Sequence, residues 1–192
     1  LQKTRPFRTV HHTASGTSIV GCGRIPRPGE ISLAHRGVLF FDELAEFPSQ
    51  VLELLRQPLE DRKITIGRAM STLTYPAHFI FVAAQNPCPC GYLSDPHRQC
   101  RCTNQQIQKY QKKISGPLLD RIDLVIEVPR LNFDNLSARE KGETSIQILE
   151  RIIKAKEIQI NRLKNLKIFS NSEMDSNLVK KFCTLDENCT KL

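Results

Sequence analysis

Along this chain, short unbroken apolar runs alternate with amphipathic stretches. Val38-Leu39-Phe40-Phe41 and Phe79-Ile80-Phe81-Val82-Ala83-Ala84 are continuous apolar segments. Their length and composition suit strands of a parallel sheet covered on both faces. Leu124 to Val128 has the same character and predicts a third strand. After the first run, Pro48 opens a stretch in which Val51, Leu52, Leu54, Leu55 and Leu59 give a helix a wide apolar face. Lys63-Ile64-Thr65-Ile66 and Ser71-Thr72-Leu73-Thr74-Tyr75 alternate with period two around Gly67-Arg68-Ala69-Met70. That pattern predicts a β-hairpin with a basic tip, ended by Pro76. A polar helix is expected from about Asn104 to Lys113, and Gly116-Pro117 breaks it.

The two ends read differently. Leu1 to Pro28 is of mixed polarity, rich in small residues and prolines, and predicts loops, turns and at most a hairpin. Ile31 to Ala34 reads as a short helical turn. Ser137-Ala138-Arg139-Glu140 has the form of a capping box. Ile146, Leu149, Ile152, Ile153, Ile160 and Leu163 then mark a long amphipathic helix. Strands alternating with helices mean an α/β fold, and the all-helical tail predicts a division into residues 1–130 and 131–192.

Composition narrows the class. The 192 residues hold one full domain with a core, plus a smaller appendage. No apolar run approaches a membrane span and no signal peptide opens the chain, so a cytoplasmic protein is expected. The chain starts at Leu1 rather than Met, which reads as a piece of something longer. The net charge of +8 is uneven. Residues 1–36 carry Lys3, Arg5, Arg8, Arg24, Arg27 and Arg36 against Glu30 alone, and residues 87–122 are also basic. Such an excess suits a polyanionic partner, nucleotide or nucleic acid, although it also serves solubility.

Two clusters carry chemistry. Asp42 and Glu43 follow directly on the apolar run at 38–41, where they would emerge at the carboxyl end of a strand, the ligand-binding end of an open α/β sheet. In nucleotide-hydrolysing enzymes this is the Walker B arrangement. The first acid helps hold Mg²⁺, and the second orients or deprotonates the attacking water. A buried strand that ends in two solvated acids is the plainer alternative. The second cluster is Cys88-Pro89-Cys90 and Cys100-Arg101-Cys102, two C-x-C pairs nine residues apart. Four thiolates in one loop can close a tetrahedral Zn²⁺ site, with His97 as a fallback ligand, or can remain reduced and unliganded.

In order along the chain come an apolar strand ending Asp-Glu, an apolar strand followed by Asn86, and Leu118-Leu119-Asp120-Arg121 before a third strand. This resembles the layout of a AAA+ ATPase. The wording is closer still. Arg5-Pro6-Phe7-Arg8, His11-His12-Thr13-Ala14-Ser15, Pro28-Gly29-Glu30-Ile31-Ser32-Leu33-Ala34-His35, Leu55-Arg56-Gln57-Pro58-Leu59-Glu60, Asn86-Pro87-Cys88-Pro89-Cys90-Gly91 and Ser115-Gly116-Pro117-Leu118-Leu119-Asp120-Arg121-Ile122-Asp123 all look like one family. That family is the magnesium-chelatase-like AAA+ proteins of bacteria, in their ComM/YifB branch, and the match is dense over about residues 4–130.

The resemblance implies a P-loop-type parallel sheet flanked by helices, a hairpin before sensor 1, and from residue 131 the start of a helical lid. It implies ATP with Mg²⁺ as cofactor, Asp42 as a Mg²⁺ ligand and Asn86 as sensor 1. Arg121 becomes the arginine finger, reaching the γ-phosphate bound by a neighbouring subunit of a hexameric ring. Taken alone, Asn86 is equally a turn residue, and Arg121 a surface ion pair with Asp120 or Asp123. In related ring ATPases the hairpin grips DNA, which makes Lys63 and Arg68 candidate phosphate contacts. The implied function is a helicase driving branch migration of incoming DNA, with single-stranded or branched DNA as its partner. The alternatives are a magnesium-chelatase motor subunit, against which the cysteine quartet argues, and a non-hydrolysing zinc and nucleic-acid binding module.

Departures from the family also shape the expectation. Cys22 interrupts a glycine triplet, and Val125 stands where relatives carry a polar residue or His. No Gly-x-x-x-x-Gly-Lys-Ser/Thr loop occurs in the 192 residues. The phosphate-cradling loop is expected upstream and sensor 2 downstream, and this segment alone is expected to bind and hydrolyse ATP poorly.

Overall fold

The computed structural model describes residues 4–22, 26–68, 71–93, 95–128, 142–166 and 168–190, without the side chains of Cys22, Arg68, Ser71, Asn188 and Thr190. The chain divides into two compact units, residues 1–130 and 131–192. Among the described residues no helix is long and apolar enough to cross a membrane.

The first unit is built on a parallel sheet in the order β1-β4-β7, with β1 at Phe7–Val10, β4 at Val38–Phe41 and β7 at Ile80–Ala83. The α/β expectation is borne out, with one exchange of strands. The third strand is β1, from a stretch read as loops, whereas Leu124 to Val128 forms no strand. A strand needs a ladder partner as well as apolar residues, and no described strand lies beside this segment. Leu124, Val125, Ile126 and Val128 are exposed.

Cover on both sheet faces is likewise only half met. Leu39 and Phe41 are fully buried, and Phe41 stacks on Phe47 at 4.5 Å between centroids and meets Phe81 edge-on at 5.5 Å. On the opposite face Ile80 and Val82 are exposed, and Phe40 stacks on the exposed ring of Phe7 at 6.2 Å between centroids.

Between β1 and β4 lie α1 (Gly16–Val20), the short pair β2 (Gly21–Cys22) and β3 (Arg27–Pro28), and α2 (Glu30–Leu33). Ser15 caps α1 by accepting from the Ser18 amide. Arg8 on the edge strand β1 makes a two-pronged contact with Glu30 at 2.6 and 2.8 Å, which ties α2 to the sheet. Gly37 sits where the chain enters β4, and a Cβ there would lie 1.9 Å from the Pro6 carbonyl. No other residue fits that approach.

The helix expected from Pro48 is two helices, α3 (Ser49–Glu53) and α4 (Arg56–Asp61), joined by a turn at Leu54-Leu55. The turn lets Val51, Leu52 and Leu55 all enter the core. The hairpin is as the alternation predicts: β5 (Lys63–Arg68) pairs with β6 (Ser71–Pro76), with Ile64 and Ile66 buried and Lys63 and Thr65 outward. Beyond β7 come the cysteine loop, α5 (Asn104–Gln111) and α6 (Gly116–Leu119). Thr103 caps α5 in a reciprocal box with Gln106.

In the second unit α7 (Ser145–Leu163) starts at a Thr144–Gln147 capping box. The box expected at 137–140 lies outside the described residues. The apolar residues Ile146, Leu149, Ile152 and Ile153 of α7 are exposed. A short α8 (Ser176–Phe182) capped by Asp175 and α9 (Glu187–Thr190) follow.

Candidate functional site

The parallel ladder between β4 and β7 pairs Phe41 with Ala83, and beyond it the Leu44 amide donates to the Ala84 carbonyl at 2.9 Å. Asp42-Glu43 and the segment leading to Asn86 therefore leave the same carboxyl-terminal edge of the sheet. Asp42 Oδ1 accepts from the Glu43 amide at 2.9 Å. Glu43 itself sits in the left-handed region at φ 53° and ψ 49°. For a non-glycine residue that conformation costs on the order of 1–3 kcal/mol. It turns the chain out of the strand direction into a single 3₁₀ turn at Leu44–Glu46.

Glu43 has a neighbour to which the sequence assigns no role. His12 Nδ1 lies 3.1 Å from Glu43 Oε2, without the alignment of a hydrogen bond, and this nitrogen is otherwise buried and unpaired. The ring is held by His11, with centroids 4.1 Å apart, and by Phe47 edge-on at 6.5 Å. A small rotation of either side chain would let His12 hold the Glu43 carboxylate. The His11-His12 pair is the only trace of this in the sequence, because the contact spans β1 to β4.

Asn86 is exposed, and its surroundings are built by α5. Tyr110 is almost wholly buried, with the Asn86 backbone beside its hydroxyl. Burial, followed by the acidic neighbours Glu46, Cys88 and Glu43, raises the Tyr110 pKa. Gln111 Nε2 donates to the Pro87 carbonyl at 3.3 Å. Gly91 is at φ 78°, and a Cβ there would lie 3.8 Å from Asn86 Oδ1. Tyr110 is the second residue that sequence reasoning missed; its signal is a large aromatic set in an otherwise polar helix.

The four cysteines converge. Sγ of Cys88 lies 3.4 Å from that of Cys90 and 3.7 Å from that of Cys100, with Cys90 and Cys100 3.5 Å apart. All four sulfurs, Cys102 included, lie within 4.8 Å of one another. Zinc–sulfur bonds of about 2.3 Å place tetrahedral sulfurs about 3.8 Å apart. The donor set and spacing therefore fit a zinc ion, and His97 stands outside the group.

Backbone amides of Tyr92 and Arg101 lower the Cys90 thiol to about 6. At Cys100 the Cys102 amide also favours the thiolate, but burial and the neighbouring sulfurs outweigh it and push the thiol up to about 12. A ring of sulfurs that resists successive ionisation is one that a bound cation would relieve.

Arg121 is not brought to these groups. It stands just beyond α6, with its Nε 3.1 Å from Glu60 Oε2 on α4, Nη2 on the same oxygen, and Nη1 donating to the Pro117 carbonyl at 2.6 Å. Its ion-pair partner is thus Glu60, in place of Asp120 or Asp123. Lys63 lies at the root of the hairpin opposite Pro76, whereas Arg68 is at the tip opposite Ser71. The two are five residues apart along one strand, about 17 Å. The Arg68 side chain lies outside the described residues.

Comparison with known proteins agrees with this architecture. A family model described as magnesium chelatase, subunit ChlI, matches residues 1–136, and one described as magnesium chelatase, subunit ChlI C-terminal, matches residues 142–192. The chain is 49% identical to the competence protein ComM of Haemophilus influenzae over 172 residues, covering 89% of this chain and 33% of that protein. It is 45% identical to YifB of Escherichia coli over 185 residues, covering 96% of this chain and 35% of that protein, and 45% identical to YifB of Salmonella typhimurium over 182 residues, covering 94% and 35%. The chain spans about a third of the length of these relatives. Matched by its family models across both units, the chain belongs to the magnesium chelatase ChlI family, with ComM and YifB as its relatives.

Proposed function

We propose that this chain carries the hydrolytic acids, the sensing asparagine and the trans-acting arginine of a AAA+ ring motor that acts on DNA. The observation that carries the reading is the β4–β7 register, which delivers Asp42, Glu43 and the approach to Asn86 to one edge of the sheet. Asp42 would hold the Mg²⁺ of MgATP, and that ion would neutralise charge developing on the phosphates. Glu43 orients and deprotonates the attacking water, Asn86 holds that water from the side of β7, and Arg121 serves the site of the next subunit. Cys88, Cys90, Cys100 and Cys102 would hold a structural zinc that stiffens the loop following Asn86. Lys63 and Arg68 on the hairpin contact DNA phosphates. The protein works as a homo-oligomeric, hexameric ring in the cytoplasm, as a helicase of the ComM kind.

The test is ATP turnover by the complete gene product, with and without single-stranded DNA, beside Glu43→Gln. Turnover raised by DNA and abolished by the substitution is expected. The name of the matched family favours a second reading, a chelatase motor subunit, and turnover indifferent to DNA would support it. No turnover at all would leave a non-hydrolysing binding module.

A further inference from the structure

We infer that Glu60 is a positioning residue for Arg121, setting the guanidinium so that its outer edge is free for a phosphate of the neighbouring subunit. This rests on the reading of Arg121 as a trans-acting group.

A guanidinium has five N–H donors in a rigid planar fork. Glu60 Oε2 takes one edge, accepting from both Nε and Nη2. Nη1 donates to the Pro117 carbonyl at 2.6 Å, and because that carbonyl lies four residues back on the arginine's own backbone we assign the bond to the backbone-facing N–H. What remains is the outer edge, one N–H on Nη1 and one on Nη2, the parallel pair that matches two oxygens of a phosphate. The plane is thus fixed from two sides, and the free edge is the useful one.

Both anchors sit on helices packed against the core. Pro58 and Leu55 are buried beneath α4, and Leu118 is fully buried beneath α6. The neighbours of Glu60 on α4 are engaged locally: Arg56 donates to Glu53 at 2.7 Å and Gln57 to Asp61 at 3.2 Å. Glu60 is therefore the α4 side chain that reaches Arg121, across 61 residues of sequence. These residues line one shallow surface depression with Arg121, whose side chain is 27% exposed. This gives the Arg56-Gln57-Pro58-Leu59-Glu60 motif a task that the proposed hydrolysis site leaves open.

An exposed ion pair adds little to stability, so the contact is to be read in catalysis supplied to a neighbour. Mixed rings of the complete gene product separate the two roles. Glu43→Gln subunits donate an intact arginine, and Arg121→Ala subunits accept it at an intact hydrolytic site. Adding Glu60→Ala to the donor is expected to lower the mixed turnover about tenfold or more with KM for ATP unchanged. Adding it to the acceptor should leave turnover as it was, and Glu60→Gln in the donor, which keeps an accepting oxygen, should fall between. A Glu60→Ala donor as effective as its parent, or an equal loss from either subunit, overturns the inference. Full turnover by Arg121→Ala rings alone overturns the reading of Arg121 itself.

Discussion

Tyr110→Phe removes a single oxygen, the one that faces the Asn86 backbone, and leaves the ring where it packs. The size of the effect follows from the surroundings. With this oxygen taken as the acceptor of the Asn86 amide, an amide freed by the substitution can take water because Asn86 is exposed, and the cost stays near the net value of one hydrogen bond, about 0.5–1.5 kcal/mol. Expressed as amide hydrogen exchange, that is an acceleration of about 2- to 13-fold at Asn86, since 1.4 kcal/mol is about a factor of ten. Amides of β4 should exchange as before, because Phe41 and Leu39 are untouched. Tyr110→Ala, by contrast, also removes the buried ring and should cost about 3–5 kcal/mol, accelerating exchange across the core. Exchange measured by NMR on both variants decides the matter. An unchanged Asn86 amide in Tyr110→Phe, or an equal acceleration throughout the sheet, would refute the claim that α5 holds Asn86 through this hydroxyl.

Other consequences can be checked in the same way. Gly37→Ala drives a methyl into the Pro6 carbonyl and should cost about 1–3 kcal/mol or more, seen as a lower urea midpoint at unchanged slope. Metal analysis should find one zinc per chain. A strong chelator should remove it with loss of thermal stability, while Cys100→Ser should reduce the metal content without a disulfide forming. His35 accepts the His78 amide on Nδ1 at 3.1 Å, and burial together with Arg36 lowers its pKa from 6.5. The neutral ring is the folded form, so its contribution is complete above pH 6.5 and is lost as pH falls toward the folded value. His35→Gln should flatten the stability profile between pH 7.5 and 5.5, and an identical slope in both proteins would sink this assignment.

How much was legible in the sequence depended on how local each feature is. Val38 to Phe41 announces itself because an uninterrupted apolar run suits few positions besides a central strand. β1 does not, because Arg8 and Thr9 interrupt it, and Arg8 is there to hold Glu30 on α2. Leu124 to Val128 misleads for the opposite reason: its residues are those of a strand, but pairing is a property of two segments. The cysteine spacing points to a metal, while the sulfur distances come from the folded loop. His12, Tyr110 and Glu60 are visible in the sequence but their contacts are not, since each matters through a residue 24 or more positions away.

The register that carries Asp42 and Asn86 also limits how this gene can change length. One residue added inside Val38–Phe41 or Ile80–Ala83 would advance the chain by about 3.3 Å and turn every later side chain to the other face. Phe41 would leave the core as the acids left the edge. The hairpin from Lys63 to Pro76 is under no such rule, because a pair of residues added on both arms restores its pleat and leaves β4 and β7 as they were. Insertions and deletions should therefore gather in the hairpin, by twos, and be purged from the two strands that flank the acids.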